Sequence, residues 1–98
     1  MITKHPELQI EYRTPGDGQS SAITLLRQSN KIETKVYDFG SLLLSIDGRI
    51  CDQNKQECWG LFLQDINGIE TLSQKGGDSL IAAEGEIAIW RLCVYTID

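Results

Sequence analysis

The chain has 98 residues, of which 41% are hydrophobic and 23% are charged, a composition typical of a globular domain. Nine basic residues stand against fourteen acidic ones, for a net charge of −5, and no cluster of cations is present to bind nucleic acid. No stretch approaches the roughly 20 apolar residues of a membrane helix, and the N-terminus lacks the apolar core of a signal peptide. We therefore expect one cytoplasmic domain, residues 1–98, without membrane association.

Apolar and polar residues alternate along much of the chain, with the period of two that predicts β-strands. Residues 8–13 form the first such segment, with Leu8 and Ile10 on its apolar face, and residues 32–36 form another. Residues 14–21 are dense in turn-forming residues and predict an exposed loop.

The segment between these strands, residues 22–28, fits either a strand or a helical turn. Ile23, Thr24 and Leu25 combine β-branching with alternation, which favours a strand. We therefore predict a strand here, so that the N-terminal strands extend over residues 7–34.

Two tight-turn pairs divide the middle of the chain into hairpins. An apolar run over residues 39–46 ends at Asp47-Gly48, and a strand over residues 59–66 ends at Asn67-Gly68. Such pairs favour tight hairpin turns because glycine accepts a positive φ. Residues 69–73 are predicted to form the return strand.

The longest apolar stretch covers residues 87–97, and both of its alternating faces are apolar except at Arg91. A strand with two apolar faces lies in the centre of a sheet that is covered on both sides. Residues 79–83 before it fit either a short strand or one helical turn. Together the segments predict an all-β fold of about eight short, mainly antiparallel strands, arranged as a small jelly-roll barrel or a sandwich.

The glycine spacing of the chain resembles that of the cupin family over about residues 36–95. The family's first motif, G-x5-H-x-H-x4-E-x6-G, matches the spacing of Gly40, Ile46, Gly48, Gln53 and Gly60. Its second motif, G-x5-P-x-G-x2-H-x3-N, matches the spacing of Gly77, Ala83, Gly85, Ala88 and Leu92. The segments FGSLLLSIDG and KGGDSLIAAEG also resemble the metal-free C-terminal β-lobe of mannose-6-phosphate isomerases.

This resemblance implies a cupin-like barrel without the metal of the family. The positions that cupins use for metal ligands hold no histidine and no carboxylate here; they are Ile46, Gly48, Gln53 and Ala88. Metal-dependent chemistry is therefore not implied. In the same frame, Trp90 and Leu92 would fill the space that the metal occupies in relatives.

The sequence predicts no metal, no cofactor and no catalytic residue. An odd number of cysteines, Cys51, Cys58 and Cys93, fits free thiols in a reducing cytosol. Lys55 would lower the pKa of a nearby thiol, but the only histidine, His5, is expected in a loose N-terminus, so packing roles are favoured for the cysteines. The acidic residues that we weighed as acid–base pairs fit solvated turns better; they are Asp47, Asp52, Asp65, Glu84 and Glu86.

Four aromatic side chains are the candidate ligand-binding residues: Trp59, Trp90, Tyr37 and Tyr95. Such rings can line the mouth of a barrel and stack on a small apolar or sugar ligand. The alternative is that they belong to the hydrophobic core.

The favoured function is a non-enzymatic, acidic β-domain that acts by binding, as a protein-interaction or regulatory module. All of the net charge lies after Arg49, so we expect this acidic second half to face a basic protein partner. Unpaired edge strands favour a homodimer. The alternatives are a sensor domain for a sugar or sugar phosphate and an enzyme that needs no metal. A filled barrel interior would favour protein interaction over a sensor.

Overall fold

A computed structural model describes residues 2–38 and 40–96. These residues form eight strands, one α-helix and one short 3-10 helix. The strands are β1 (Ile2–Lys4), β2 (Glu11–Pro15), β3 (Ile32–Tyr37), β4 (Gly40–Ile46), β5 (Arg49–Ile50), β6 (Glu57–Gln64), β7 (Glu70–Leu72) and β8 (Ile87–Tyr95); the helices are α1 (Ala22–Ser29) and the 3-10 turn Gln53–Lys55.

The strands form two antiparallel sheets, which confirms the all-β prediction. The larger sheet has the order β1-β8-β6-β7, with β2 also paired to β8, and it curls into half a barrel. The smaller sheet has the order β3-β4-β5.

Strand β8 is the central strand, as its two apolar faces predict. It pairs with β6 along eight residues, from Gln64 opposite Ile87 to Glu57 opposite Val94. The other edge of β8 pairs with β2 near the start of β8 and with β1 near the end of β8. Six consecutive residues in its middle are buried, so both faces are covered.

The two predicted hairpin turns are confirmed. Asp47 and Gly48 connect β4 to β5 with φ values of 51° and 82°, and Gly68 connects β6 to β7 with a φ of 84°. Residues 79–83 form neither a named strand nor a helix, and only Ile81 makes an isolated bridge, to Ser21.

The prediction of a strand at residues 22–28 is wrong, because these residues form helix α1. Ser21 caps its N-terminus, where the hydroxyl accepts a hydrogen bond from the Thr24 amide. Ala22 and Leu26, four residues apart, are both fully buried, which is the helical spacing of a core-facing stripe. No helix in the described ranges is long and apolar enough to cross a membrane.

The expectation of a loose N-terminus is also wrong. Strand β1 pairs with the end of β8, and the His5 side chain is almost fully buried. His5 Nδ1 accepts hydrogen bonds from the Glu7 and Leu8 amides, so Nε2 carries the proton and donates to Glu57 at 3.0 Å. The second strand begins at residue 11 rather than residue 8.

Helix α1 joins the two sheets into one core. Its Ala22, Ile23 and Leu26 pack in a cluster with residues from β4, β6 and β8. The Ala22 amide donates to the Leu80 carbonyl and the Ile23 amide donates to the Gly77 carbonyl. These bonds satisfy first-turn amides that have no partner within a helix.

Arg91 is the one charged residue in the middle of β8, and ion pairs compensate its burial. Only 5% of its side chain is exposed; its guanidinium contacts Glu70 at 2.8 Å and Glu11 at 3.1 Å and lies over the Phe62 ring. Arg13 also pairs with Glu11. Burial alone would lower the pKa of Arg91, but the bonds to the two carboxylates outweigh it and raise that pKa.

The Glu11 carboxylate makes stability depend on pH. Burial raises its pKa, but the hydrogen bonds from Arg13 and Arg91 outweigh burial, so the net pKa is lowered from 4.5. A group with a lowered folded-state pKa stabilises the fold above its unfolded pKa and loses that contribution as the pH falls through the folded pKa. We expect Glu11→Gln to lower the free energy of unfolding by about 1 kcal/mol at pH 7, with the difference shrinking as the pH falls below 4.5.

Urea unfolding at a series of pH values measures this difference. Glu84→Gln is the matched control, because Glu84 is an exposed turn residue outside the cluster. A Glu11→Gln deficit that stays constant from pH 7 to pH 3 would contradict the role of the carboxylate charge.

Candidate functional site

A cavity of about 590 Å³ lies between the two sheets. Leucines of β4 and Ile50 of β5 form one wall, and Trp59 and Leu61 of β6 with Trp90 and Tyr95 of β8 form the other. Leu43, Leu61 and Trp90 belong both to this wall and to the hydrophobic core. The cavity is therefore an unfilled part of the space between the sheets.

Three buried polar atoms in the described ranges have no hydrogen-bond partner, and all three belong to residues that line this cavity. They are Ser45 Oγ, Trp59 Nε1 and Trp90 Nε1. Each of these three atoms is inaccessible to water from the cavity as well as from the bulk, so other atoms of the same side chains form the cavity surface. An unpaired buried donor costs about 1–3 kcal/mol, and its presence calls for an explanation.

The structure brings together three of the four aromatic residues predicted as a ligand-binding set. Trp59, Trp90 and Tyr95 line the cavity, and Trp59 is also held edge-on by Tyr12, with the ring centroids 5.9 Å apart. Tyr37 is not among the lining residues; its exposed ring lies under the Lys35 ammonium on β3.

Trp90 and Leu92 do not close the space between the two sheets. Trp90 forms one wall of an open cavity, and Leu92, although only 3% exposed, does not line it. The interior stays open between Trp90 and the leucines of β4.

The charged side chains of the cavity are all acidic: Glu33, Glu57 and Asp78, with no Lys, Arg or His among the lining residues that the structure describes. Glu57 accepts hydrogen bonds from His5 Nε2 and from the Asp52 amide. Asp78 accepts one from the Ser41 amide at 2.6 Å. Glu33 is exposed on β3.

Sequence reasoning missed the polar members of this site. Ser45 interrupts the apolar run of β4, and a serine in such a run is a visible sign of a buried polar group. Glu57 and Glu33 gave no signal, because they come from separate segments that only the fold brings together.

Gly77 lets Trp90 and helix α1 approach each other. A Cβ atom at this position would lie 2.5 Å from Ile23 Cγ1 and 2.8 Å from Trp90 Cζ2. The absence of a side chain at Gly77 therefore fixes where the Trp90 ring sits, and with it one wall of the cavity.

Two cysteines at the cavity, Cys51 and Cys58, are not activated nucleophiles. Burial, with smaller contributions from Cys58 and Glu57, raises the pKa of Cys51 to about 12, and burial also raises the pKa of Cys58. The hypothesis that Lys55 lowers a thiol pKa is therefore wrong. Cys93 has a raised pKa for the same main reason, burial.

No group of three metal-ligating side chains in residues 2–38 and 40–96 is placed to hold a metal ion. Among the turn carboxylates that the sequence analysis considered, Asp47, Asp52, Asp65 and Glu86 accept hydrogen bonds from nearby amides, which is their role in the turns.

Comparisons with protein-family models, with curated proteins and with solved structures gave no significant match to this chain. The relationship to cupins therefore stays a prediction from glycine spacing.

The Gly77 contact predicts a sharp difference between two neighbouring glycines. We expect Gly77→Ala to destabilise the fold by about 1–3 kcal/mol, because helix α1 or the Trp90 ring must shift. Gly76→Ala is the matched control: a Cβ atom at residue 76 would have no atom within 4 Å, so we expect no loss, or a gain of up to about 1 kcal/mol. The urea midpoints of the two variants measure these changes in stability. Equal losses of stability in Gly77→Ala and Gly76→Ala would contradict the packing role of Gly77.

The raised thiol pKa values predict slow cysteine chemistry. At pH 8 we expect Cys51 of the native protein to react with Ellman's reagent at least about 100-fold more slowly than in the guanidinium-unfolded protein, because little thiolate is present. A native thiol that reacts as fast as the unfolded chain would instead support a cysteine nucleophile. Cys51→Ser and Cys58→Ser would then identify which thiol reacts.

Proposed function

We propose that this chain binds a small molecule in the cavity between its two sheets. The observation that carries the proposal is an open space of about 590 Å³ with largely aliphatic and indole walls. Small-molecule sites are typically cavities of about 300–1,000 Å³ with apolar walls and a few converging polar groups. Small-molecule binding was the alternative function in the sequence analysis, and an open interior favours it over protein interaction.

Two features of the walls support a fixed site. Trp59 is held by Tyr12, and Trp90 is held between Gly77 and the core. Rings that are already positioned lose little conformational freedom on binding, and this preorganisation favours affinity.

Protein interaction is the second candidate, and a different observation favours it. Val36 of β3 and Ile50 of β5 are exposed, at 77% and 71%, although Ile50 also borders the cavity. Exposed apolar residues on one sheet are a feature of docking surfaces. A homodimer through this sheet stays part of the same proposal.

The binding proposal is tested with N-phenyl-1-naphthylamine, a neutral dye whose emission rises in apolar surroundings. We expect saturable one-to-one binding with a Kd below about 100 μM, which is within reach of a ligand of this size. Leu44→Trp places a large ring at the partly exposed edge of the cavity, and we expect it to weaken binding at least about tenfold.

Ile69→Trp is the matched control, because Ile69 is an exposed residue of the β6–β7 hairpin that does not line the cavity. Dye binding is measured by exciting the dye directly, so the added indole does not disturb the signal. Absence of saturable binding, or equal weakening by both variants, would exclude the cavity as the site.

A further inference from the structure

Strand β3 has one free edge. It is the terminal strand of the smaller sheet, and β4 pairs with only one side of it. No backbone–backbone hydrogen bond from residues 32–36 reaches a described residue outside β4. Of the strands in the described chain that pair with a single neighbour, β3 is the longest, at six residues. Such an edge presents backbone N–H and C=O groups that can pair with another chain.

The two charged side chains of β3 have no partner in their own sheet. Glu33 and Lys35 lie on the same face of the strand, because side chains two residues apart point the same way, and both are exposed. Their neighbours across the sheet are Ser45 and Leu42, and β4 carries no charged residue. No salt bridge in the described ranges includes either of them. Within a sheet, opposite charges for them can therefore come only from a strand added at the free edge.

A second copy of β3 supplies those opposite charges. When two copies pair in antiparallel fashion around a two-fold axis at Thr34, Glu33 of each copy lies opposite Lys35 of the other. Opposite charges that face each other across an antiparallel pair stabilise it. Because a two-fold interface makes each contact twice, the dimer contains two such charge pairs.

The other face of β3 is complementary in the same register. Ile32, Thr34 and Val36 lie on this face. Val36 comes to lie opposite Ile32 of the second copy, and Thr34 lies opposite its own equivalent. Ile32 packs against the hydrophobic core, whereas Val36 is 77% exposed. Pairing would therefore place the exposed valine beside an apolar side chain that is already held by the core.

Neighbouring registers do not offer this match. An axis at Glu33 or at Lys35 places two like charges opposite each other, which is destabilising. An axis between Thr34 and either of these residues places no Glu33 opposite a Lys35. A lysine on an edge strand commonly prevents pairing with another chain, but the glutamate two residues away makes one antiparallel register favourable.

We propose that this chain forms a homodimer by antiparallel pairing of two β3 strands around a two-fold axis at Thr34. The two smaller sheets then become one continuous sheet with the order β5-β4-β3-β3-β4-β5. The inference rests on the second candidate of the proposed function, protein interaction, and it does not depend on ligand binding in the cavity.

Sedimentation velocity at increasing protein concentration tests the dimer. A single pair of short strands buries less surface than a permanent interface, so we expect reversible dimerisation with a Kd below about 500 μM. A chain that is still monomeric at this concentration overturns the inference. That result would leave ligand binding in the cavity unaffected, since the dye tests it separately.

Two single variants test the charge pairs. Glu33→Lys makes both charged positions of β3 positive, and Lys35→Glu makes both negative, so each variant alone places like charges opposite each other. We expect each to raise the dimer Kd at least about tenfold. An equimolar mixture of the two variants again places opposite charges across the axis. We expect the mixture to dimerise with a Kd within about threefold of wild type.

Glu84→Lys and Lys75→Glu are the matched controls, because they change the net charge by the same amounts at exposed positions outside β3. We expect them to change the dimer Kd less than about threefold. Unchanged urea midpoints would show that Glu33→Lys and Lys35→Glu do not act by unfolding the chain. A dimer that is insensitive to both β3 variants overturns edge pairing and assigns the homodimer to another surface. A mixture that stays monomeric overturns the register.

Discussion

The fold depends on a strand that is buried on both sides and yet carries a charge. Trp90 and Arg91 are neighbours on β8, and the alternation of side chains sends them to opposite faces. Trp90 meets the hydrophobic core. Arg91 meets Glu11 and Glu70, which reach it from β2 on one side and from β7 on the other.

This arrangement fixes the register of the larger sheet. A slip of one residue would move Arg91 to the core face and Trp90 to the charged face, and an unpaired buried guanidinium is far too costly. Gly60 lies opposite Arg91 on β6, so no side chain competes for the space where the guanidinium covers the Phe62 ring. The positions of Trp59 and Trp90 follow from that register, because Trp59 lies one residue from Gly60.

Regular elements were predictable where local chemistry agrees with the final fold. The strand β8 and the turns at Asp47-Gly48 and Asn67-Gly68 follow from apolar pattern and from glycine conformation. Helix α1 was not predictable, because an eight-residue helix shows only two turns, and Ile23 and Leu25 also fit alternation. The decisive contacts are tertiary: the helix amides bind carbonyls at Gly77 and Leu80, more than fifty residues away.

The candidate site was predictable only in its aromatic half. Tryptophans are few and large, so Trp59 and Trp90 stand out in any sequence, whereas Tyr37 was included on residue type alone and lies elsewhere. The carboxylates of the cavity come from β3, from the start of β6 and from the loop at Asp78, and no local pattern connects them.

The cavity lowers the stability of the fold. A protein selected only for stability would fill the space between β4 and β8 and would not bury two indole N–H groups and a serine hydroxyl without partners. The chain instead holds these groups in place at the cost of unmade hydrogen bonds, using Tyr12 beside Trp59 and Gly77 beside Trp90. We propose that this space is kept open for a ligand, because burial of a ligand's apolar surface would offset the packing that the empty fold lacks.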